Sequence, residues 1–228
     1  MQKLIHRLRT SFNPWFIYPF LVWMVVGFLL LMAVSRDLLF STVNLHHNAF
    51  FDVFMPIASA FGEGWGVVPI LVGMLVFRAC RNWWYLLAAA VCNGVPALLG
   101  QAVKGIINAP RPFEYYKADP SWIHFNTLWG EHLYHNSFPS GHATGIFSLC
   151  VFISMILPKK WEKFGLVLFF FALLVAYSRM YLAAHFFADV FAGSMLGTIT
   201  AIFCFALIRH FGKRSFVIGT GNHLHSDF

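Results

Sequence analysis

Three short segments of this chain carry side chains suited to holding and attacking a phosphate. Lys104 is followed by Arg111-Pro112. Pro139-Ser140-Gly141-His142 comes next, and then Ser178-Arg179 with His185 and Asp189. Each segment supplies cations, imidazoles or backbone N–H donors, and each stands at the end of a long apolar run. The combination points to phosphate chemistry at a membrane surface.

His185 and Asp189 are four apart at the start of the last apolar run, so a helix places them on one face, about 6 Å apart. A carboxylate beside an imidazole fixes its tautomer and stabilises its cationic form. An imidazole held that way serves as a nucleophile or a base. Taken alone, the pair suits a structural hydrogen bond equally well. Arg179 is either an anchor at a membrane edge or a guanidinium that grips phosphate oxygens through two parallel bonds. Ser178 orients it or simply packs. Ser140 is placed to cap the helix that opens the fourth run, and Gly141 lets backbone approach a ligand closely. Free N–H groups at a helix start favour an anion. His142 then stands in the first turn, where a proton can pass to a leaving oxygen; the plain alternative is a helix cap with a chance histidine. Pro110 and Pro112 stiffen the backbone around Arg111. Reading Lys104 and Arg111 as interfacial anchors leaves their gathering beside the histidine motifs unexplained.

Together the segments resemble the type-2 phosphatidic acid phosphatase superfamily, which also includes bacterial nonspecific acid phosphatases and vanadium haloperoxidases. Its signature is K-x6-RP, then PSGH, then SR-x5-H-x3-D. Here it reads Lys104-GIINAP-Arg111-Pro112, Pro139-Ser140-Gly141-His142 and Ser178-Arg179-MYLAA-His185-FFA-Asp189, with every position matched and the order kept. The resemblance implies a mechanism without metal or cofactor. His185 attacks phosphorus and forms a phosphohistidine, while Asp189 holds and charge-stabilises His185. His142 protonates the leaving group and then activates water. Lys104, Arg111, Arg179 and the backbone around Ser140 and Gly141 bind the phosphoryl oxygens. Phosphoryl transfer depends mainly on positioning and charge stabilisation, so these implied roles agree with the chemistry of the side chains.

The elements that must position these residues follow from composition. Of 228 residues, 59% are hydrophobic and 11% charged, against about a quarter charged in soluble domains. One all-α integral membrane domain over 1–228 is expected, a six-transmembrane helical bundle. Its spans run at about 15–35, 56–77, 83–103, 138–157, 164–182 and 186–208, each near the roughly 20 residues a bilayer needs. Backbone groups inside lipid have no water, which makes the spans helical. Pro56, Pro69 and Pro96 are candidate kinks. The first run is long and lacks a small-residue cleavage site, so it reads as an uncleaved span. Cys80, Cys92, Cys150 and Cys204 show no metal-type spacing and read as buried thiols.

The net charge of +7 does not point to nucleic acid, because the basic residues punctuate apolar runs instead of forming a face. An inside N-terminus puts Lys3, Arg7, Arg9, Arg78, Arg81, Lys159, Lys160, Lys163, Arg209, Lys213 and Arg214 in the cytoplasm. Arg36, Lys104, Arg111, Lys117 and Arg179 then lie outside, with all three motifs. The positive-inside rule favours this orientation, giving cytoplasmic termini and an extracytoplasmic active site; small size and the lack of appended domains lean towards a bacterial inner membrane. The outer loop at about 104–137 is aromatic-rich, as headgroup-zone segments are, and holds either a short interfacial helix or an ordinary folded loop.

Glu63, between Gly62 and Gly64, either supports the site or lies in a solvated turn. His46, His47, His124, His132 and His135 fall in outer loops without the three or four spaced ligands a zinc site needs, so no metal site is expected. The expected partners are the bilayer and a membrane lipid phosphate: undecaprenyl diphosphate, phosphatidylglycerol phosphate, phosphatidic acid or a lipid A phosphate. A phosphotransferase using the same site is a variant. A haloperoxidase use of the site is disfavoured, since those relatives are soluble and much longer. A transporter would carry charges at mid-membrane depth, and here they cluster at one face.

Overall fold

The structure, a computed structural model, describes residues 12–126 and 134–212. The apolar runs form helices: α1 (Pro14–Ala33), α2 (Arg36–Asn44), α3 (Ala49–Ala60), α4 (Gly64–Gly73), α5 (Trp83–Ile107), the four-residue α6 (Pro112–Tyr115), α7 (Gly141–Ile156), α8 (Phe164–Tyr181) and α9 (Phe187–Gly212). No strand occurs among the described residues. Side-chain caps start several of them. Asn13, Asn82 and Ser140 accept from the N–H groups of Trp15, Tyr85 and Ala143, at the starts of α1, α5 and α7, satisfying donors that have no partner inside the helix.

Helices α1, α5, α8 and α9 are each long and apolar enough to cross a membrane. The expected span at 56–77 is not one straight helix. It is the pair α3 and α4, the latter extended to Val76 by a 3-10 turn, bent by 62°. Counting that pair as one span gives five. Pro56, Pro69 and Pro96 lie inside α3, α4 and α5, but the sharp bend falls at Phe61-Gly62-Glu63, where the chain turns between helices. The expected span at 138–157 appears as α7, sixteen residues long. At 1.5 Å per residue that is about 24 Å, shorter than a hydrocarbon core of about 30 Å.

Helix α7 is the centre of the bundle, with thirteen of its sixteen residues buried. It packs against α9, α8 and α5. The contact with α9 depends on two glycines one turn apart. A Cβ on Gly193 would stand 2.5 Å from the Ser140 carbonyl oxygen, and one on Gly197 would stand 2.3 Å from that of Thr144. Helices in lipid gain little from hydrophobic burial and associate through close packing, which small residues permit. Phe147 and Phe152 fill the core around α7 with edge-on rings from Phe169 and Phe205. The four cysteines are buried and free.

The bundle has two chemically different ends. Arg78 and Arg81 between α4 and α5, Lys159, Lys160 and Lys163 between α7 and α8, and Arg209 near the end of α9 share one end. The start of α1 is fixed there, since Asn13 Nδ2 donates to the carbonyls of Ser154 at 3.2 Å and Glu162 at 2.9 Å. Lys3, Arg7, Arg9, Lys213 and Arg214 lie outside the described residues. At the opposite end α2 packs against α8 and α9. Its Phe40 packs on Tyr116 and Phe186, and its Asp37 Oδ1 accepts from Tyr116 Oη at 2.7 Å. The segment after α5 holds only the short α6 and a 3-10 turn at Pro120–Trp122, so its described part is a folded loop braced by α2. Trp129 and His132 lie outside the described residues.

Candidate active site

The C-terminal ends of α5 and α8 and the N-terminal ends of α7 and α9 meet at the second end of the bundle. That junction brings the three motifs together. Arg111 Nη1 donates to the Ala184 carbonyl at 3.2 Å, tying the first motif to the third. The Ser140 N–H donates to the Asp189 carbonyl at 2.9 Å, tying the second to the third. Lys104 Nζ lies 3.9 Å from where a Cβ on Gly141 would stand, so the ammonium hangs over the start of α7. Lys104 Nζ and Arg111 Nη2 both donate to the Asn136 carbonyl, at 3.1 and 3.4 Å.

The guanidiniums are buried and held by neutral acceptors. Arg111 Nε also donates to the His135 carbonyl at 2.8 Å. Arg179 is 1% exposed, and its Nη1 donates to Ser59 Oγ at 2.5 Å. Buried cations need partners, and these carbonyls and this hydroxyl hold both guanidiniums in place beside the histidines. Ser178 Oγ donates within its own helix, to the Val175 carbonyl at 2.7 Å.

His185 does not stand on the last helix as expected. Helix α9 begins at Phe187, and His185 is the last part of a turn in which Ala183 takes a left-handed φ of 55°, uncommon for a residue with a Cβ. The turn is closed by the Ala184 and His185 N–H groups, which donate to the Arg179 carbonyl at 2.9 and 3.2 Å. Asp189 still reaches back: its Oδ2 is 3.5 Å from His185 Nδ1. The same oxygen accepts from the Phe186 N–H at 2.9 Å and from Ser137 Oγ. Ser137 Oγ is in turn 3.4 Å from His185 Nδ1. A proton on Nδ1, facing these oxygens, leaves the ring's lone pair on Nε2. Burial first, then the charges of Arg111, Arg179 and Lys104, hold His185 well below the ordinary histidine range. A neutral imidazole is the form that can act as a nucleophile.

His142 stands in the first turn of α7, where the charges of Arg179, Lys104 and Arg111 reach it. Its Nε2 lies 3.1 Å from Glu63 Oε1, and Glu63 also accepts from Trp65 Nε1. The bend between α3 and α4 makes this possible. A Cβ on Gly62 would come within 2.8 Å of Val175 Cγ1 and 3.0 Å of His142 Cβ, so only glycine lets the bend lie against α7.

Lys104, Arg111, Ser140, Gly141, His142, Arg179, His185 and Asp189 therefore lie at one end of the bundle. Three contributors had no assigned role in the sequence. Ser137 bonds the carboxylate behind His185, Asn136 offers the carbonyl shared by two cations, and Ser59 holds Arg179. The signal available for Ser137 and Asn136 was adjacency to Pro139-Ser140-Gly141-His142; Ser59 offered none. Glu63, left open between two roles, meets a site histidine.

The sequence pattern described as the PAP2 superfamily matches residues 81–213. The chain is 27% identical over 164 residues to an undecaprenyl-diphosphatase of Sulfolobus acidocaldarius, covering 70% of this chain and 72% of that protein. It is 32% identical over 197 residues to a lipid A 4'-phosphatase of Porphyromonas gingivalis, covering 81% and 77%. Among solved structures, LpxE of Aquifex aeolicus superposes with a TM-score of 0.63 at 25% identity, covering 77% of this chain and 98% of that one. The matched stretch contains all three motifs and the four helices that carry them, and on that basis the chain belongs to the PAP2 superfamily.

Proposed function

We propose that this integral membrane protein is a phosphatase that removes a phosphate from a lipid headgroup, with His185 as nucleophile. The observation that carries it is the convergence of Lys104, Arg111 and Arg179 around a buried His185 backed by Asp189. His185 Nε2 attacks phosphorus, and the bond from phosphorus to the leaving oxygen breaks with its electron pair on that oxygen. His142 gives that oxygen a proton. The phosphohistidine is then opened by water, whose proton returns to His142. Three cations and Glu63 act on His142 in opposite senses, and a bound phosphate offsets the cations so that the ring can carry its proton. Three guanidinium and ammonium groups supply the charge stabilisation. Donors aimed at developing charge are each worth about 2.7–4 kcal/mol.

The polarised bundle supports an orientation with the basic end in the cytoplasm and the site on the extracytoplasmic face. α7 completes a sixth span; being short and central, it is wrapped by the other helices. The membrane would be a bacterial inner membrane. The related proteins named above act on, or are named for, undecaprenyl diphosphate and lipid A, and phosphatidylglycerol phosphate and phosphatidic acid complete the candidate set. Phosphate release from purified protein across those four lipids is the test. Release from at least one, lost in His185→Ala and blocked by vanadate but not by EDTA, is the expected result. Full turnover by His185→Ala would exclude the nucleophile, and EDTA inhibition reversed by added metal would exclude the metal-free route.

A further inference from the structure

At the same end of the bundle, apart from the phosphate cluster, three side chains distant in sequence converge. His47 lies between α2 and α3, Asp52 in the first turn of α3, and His124 in the loop after the 3-10 turn. One ligand atom from each lies within 4.8 Å of the others. The two imidazoles stack with centroids 3.4 Å apart and planes 2° from parallel. His124 Nε2 is 3.6 Å from Asp52 Oδ1. That nitrogen is buried and has no hydrogen-bond partner among the described residues.

The surroundings fix two of the three ligands. Tyr181 Oη donates to Asp52 Oδ1 at 2.6 Å, and Asn126 Nδ2 donates to the Asp52 carbonyl at 2.6 Å. Asn44 clasps the backbone of His124 from both sides: the His124 N–H donates to Asn44 Oδ1 at 2.7 Å, and Asn44 Nδ2 donates to the His124 carbonyl at 3.1 Å. Metal sites characteristically rest on such a second layer of hydrogen bonds. In tetrahedral coordination with bonds of about 2.0–2.2 Å, ligand atoms stand roughly 3.4 Å apart. The His124–Asp52 spacing is already close to that, and His47, being exposed, is free to swing in.

We propose that His47, Asp52 and His124 form a binding site for a divalent transition-metal ion of the zinc type, with water in the open position. Two imidazoles and one carboxylate suit Zn²⁺ or Co²⁺ over Mg²⁺ or Ca²⁺, which prefer all-oxygen shells. The ion clamps the loop at 116–126 to the corner between α2 and α3. Through Tyr181, two residues beyond Arg179, it also braces the end of α8. Its role is to stabilise that corner of the fold, separate from phosphoryl transfer, so EDTA-stripped protein keeps its phosphate release.

The test uses tag-free full-length protein in detergent, stripped with EDTA and dialysed. Added Co²⁺ should give visible absorption bands typical of four or five ligands, saturating at one ion per chain, and Zn²⁺ should compete and raise the melting temperature. His47→Gln and His124→Gln should each weaken binding by about tenfold or more and remove the Zn²⁺-dependent melting shift. Wild-type protein that holds no stoichiometric Co²⁺ or Zn²⁺ at micromolar concentration overturns the proposal, as do folded variants that bind like wild type. Phosphate release by the same preparations reports separately on the phosphatase reading. Active protein that binds no metal defeats only the metal site.

Discussion

Glu63 Oε1, in the bend between α3 and α4, lies 3.1 Å from Nε2 of His142 in the first turn of α7, across 79 positions of sequence. No motif contains Glu63, yet it is the acid that touches the proposed proton donor. Glu63→Gln keeps the shape and removes the charge. Turnover should fall by about 10–100-fold, at or below the lower end of what a positioned general acid contributes. The loss should be largest for alkyl phosphates and small for aryl phosphates, whose leaving groups need no proton. An equal loss on both substrate types would mean that Glu63 only shapes the bend.

Asp189 Oδ2 serves three groups at once: His185 Nδ1, the Phe186 N–H and Ser137 Oγ. Asp189→Asn should lower kcat by about 10³–10⁴, as for orienting acids in other triads. Ser137→Ala leaves the carboxylate two partners and should have a smaller effect, about tenfold, corresponding to the lower end of a hydrogen bond to a charged group. Steady-state phosphate release by the two variants checks the order. A larger loss for Ser137→Ala than for Asp189→Asn would exclude this division of labour.

His185 is neutral in the folded protein because burial and three cations depress its proton affinity. In the unfolded chain it titrates near the ordinary value of about 6.5. Below that pH the unfolded state binds a proton that the folded state does not, so stability falls as pH falls, by up to about 1.4 kcal/mol per pH unit. Above about 6.5 the effect is absent. Melting curves from pH 8 to 5 should therefore bring wild type down relative to His185→Gln only on the acid side. A constant difference across that range would mean that His185 carries a proton when folded.

Gly197 lets α9 lie against the Thr144 carbonyl, where a Cβ would stand 2.3 Å away. Gly197→Val should separate α7 from α9 and destabilise by about 1–3 kcal/mol, as overpacking does. That corresponds to about 2–4 °C of melting temperature per kcal/mol for a chain of this size. Because α7 carries His142 and α9 carries Asp189, phosphate release should fall in the same variant. Unchanged melting and activity together would show that the crossing is not tight.

Much of the site was legible because its parts are local. Ser140 before Gly141 is a helix cap at the end of an apolar run, and Lys104, Arg111 and Arg179 are cations where such runs stop. Helicity followed from the lack of water for backbone groups in lipid. The fold departed from the expected pattern where a local rule met a tertiary demand. The span at 56–77 broke at Gly62, where the chain passes so close to Val175 and His142 that a Cβ would stand 2.8 Å from Val175 Cγ1. His185 left the helix because its turn folds back onto the Arg179 carbonyl.

Residue types and spacing along single segments were enough to specify an all-helical membrane chain with three phosphate-suited motifs, since capping, helical periodicity and hydropathy act over a few residues. Only the packed bundle decided that Glu63 meets His142, that Ser137 stands behind His185, and that His47, Asp52 and His124 converge. Those contacts join residues dozens of positions apart. Which of them form depends on where helices cross, and that is set by how closely small residues such as Gly62, Gly193 and Gly197 let backbones approach.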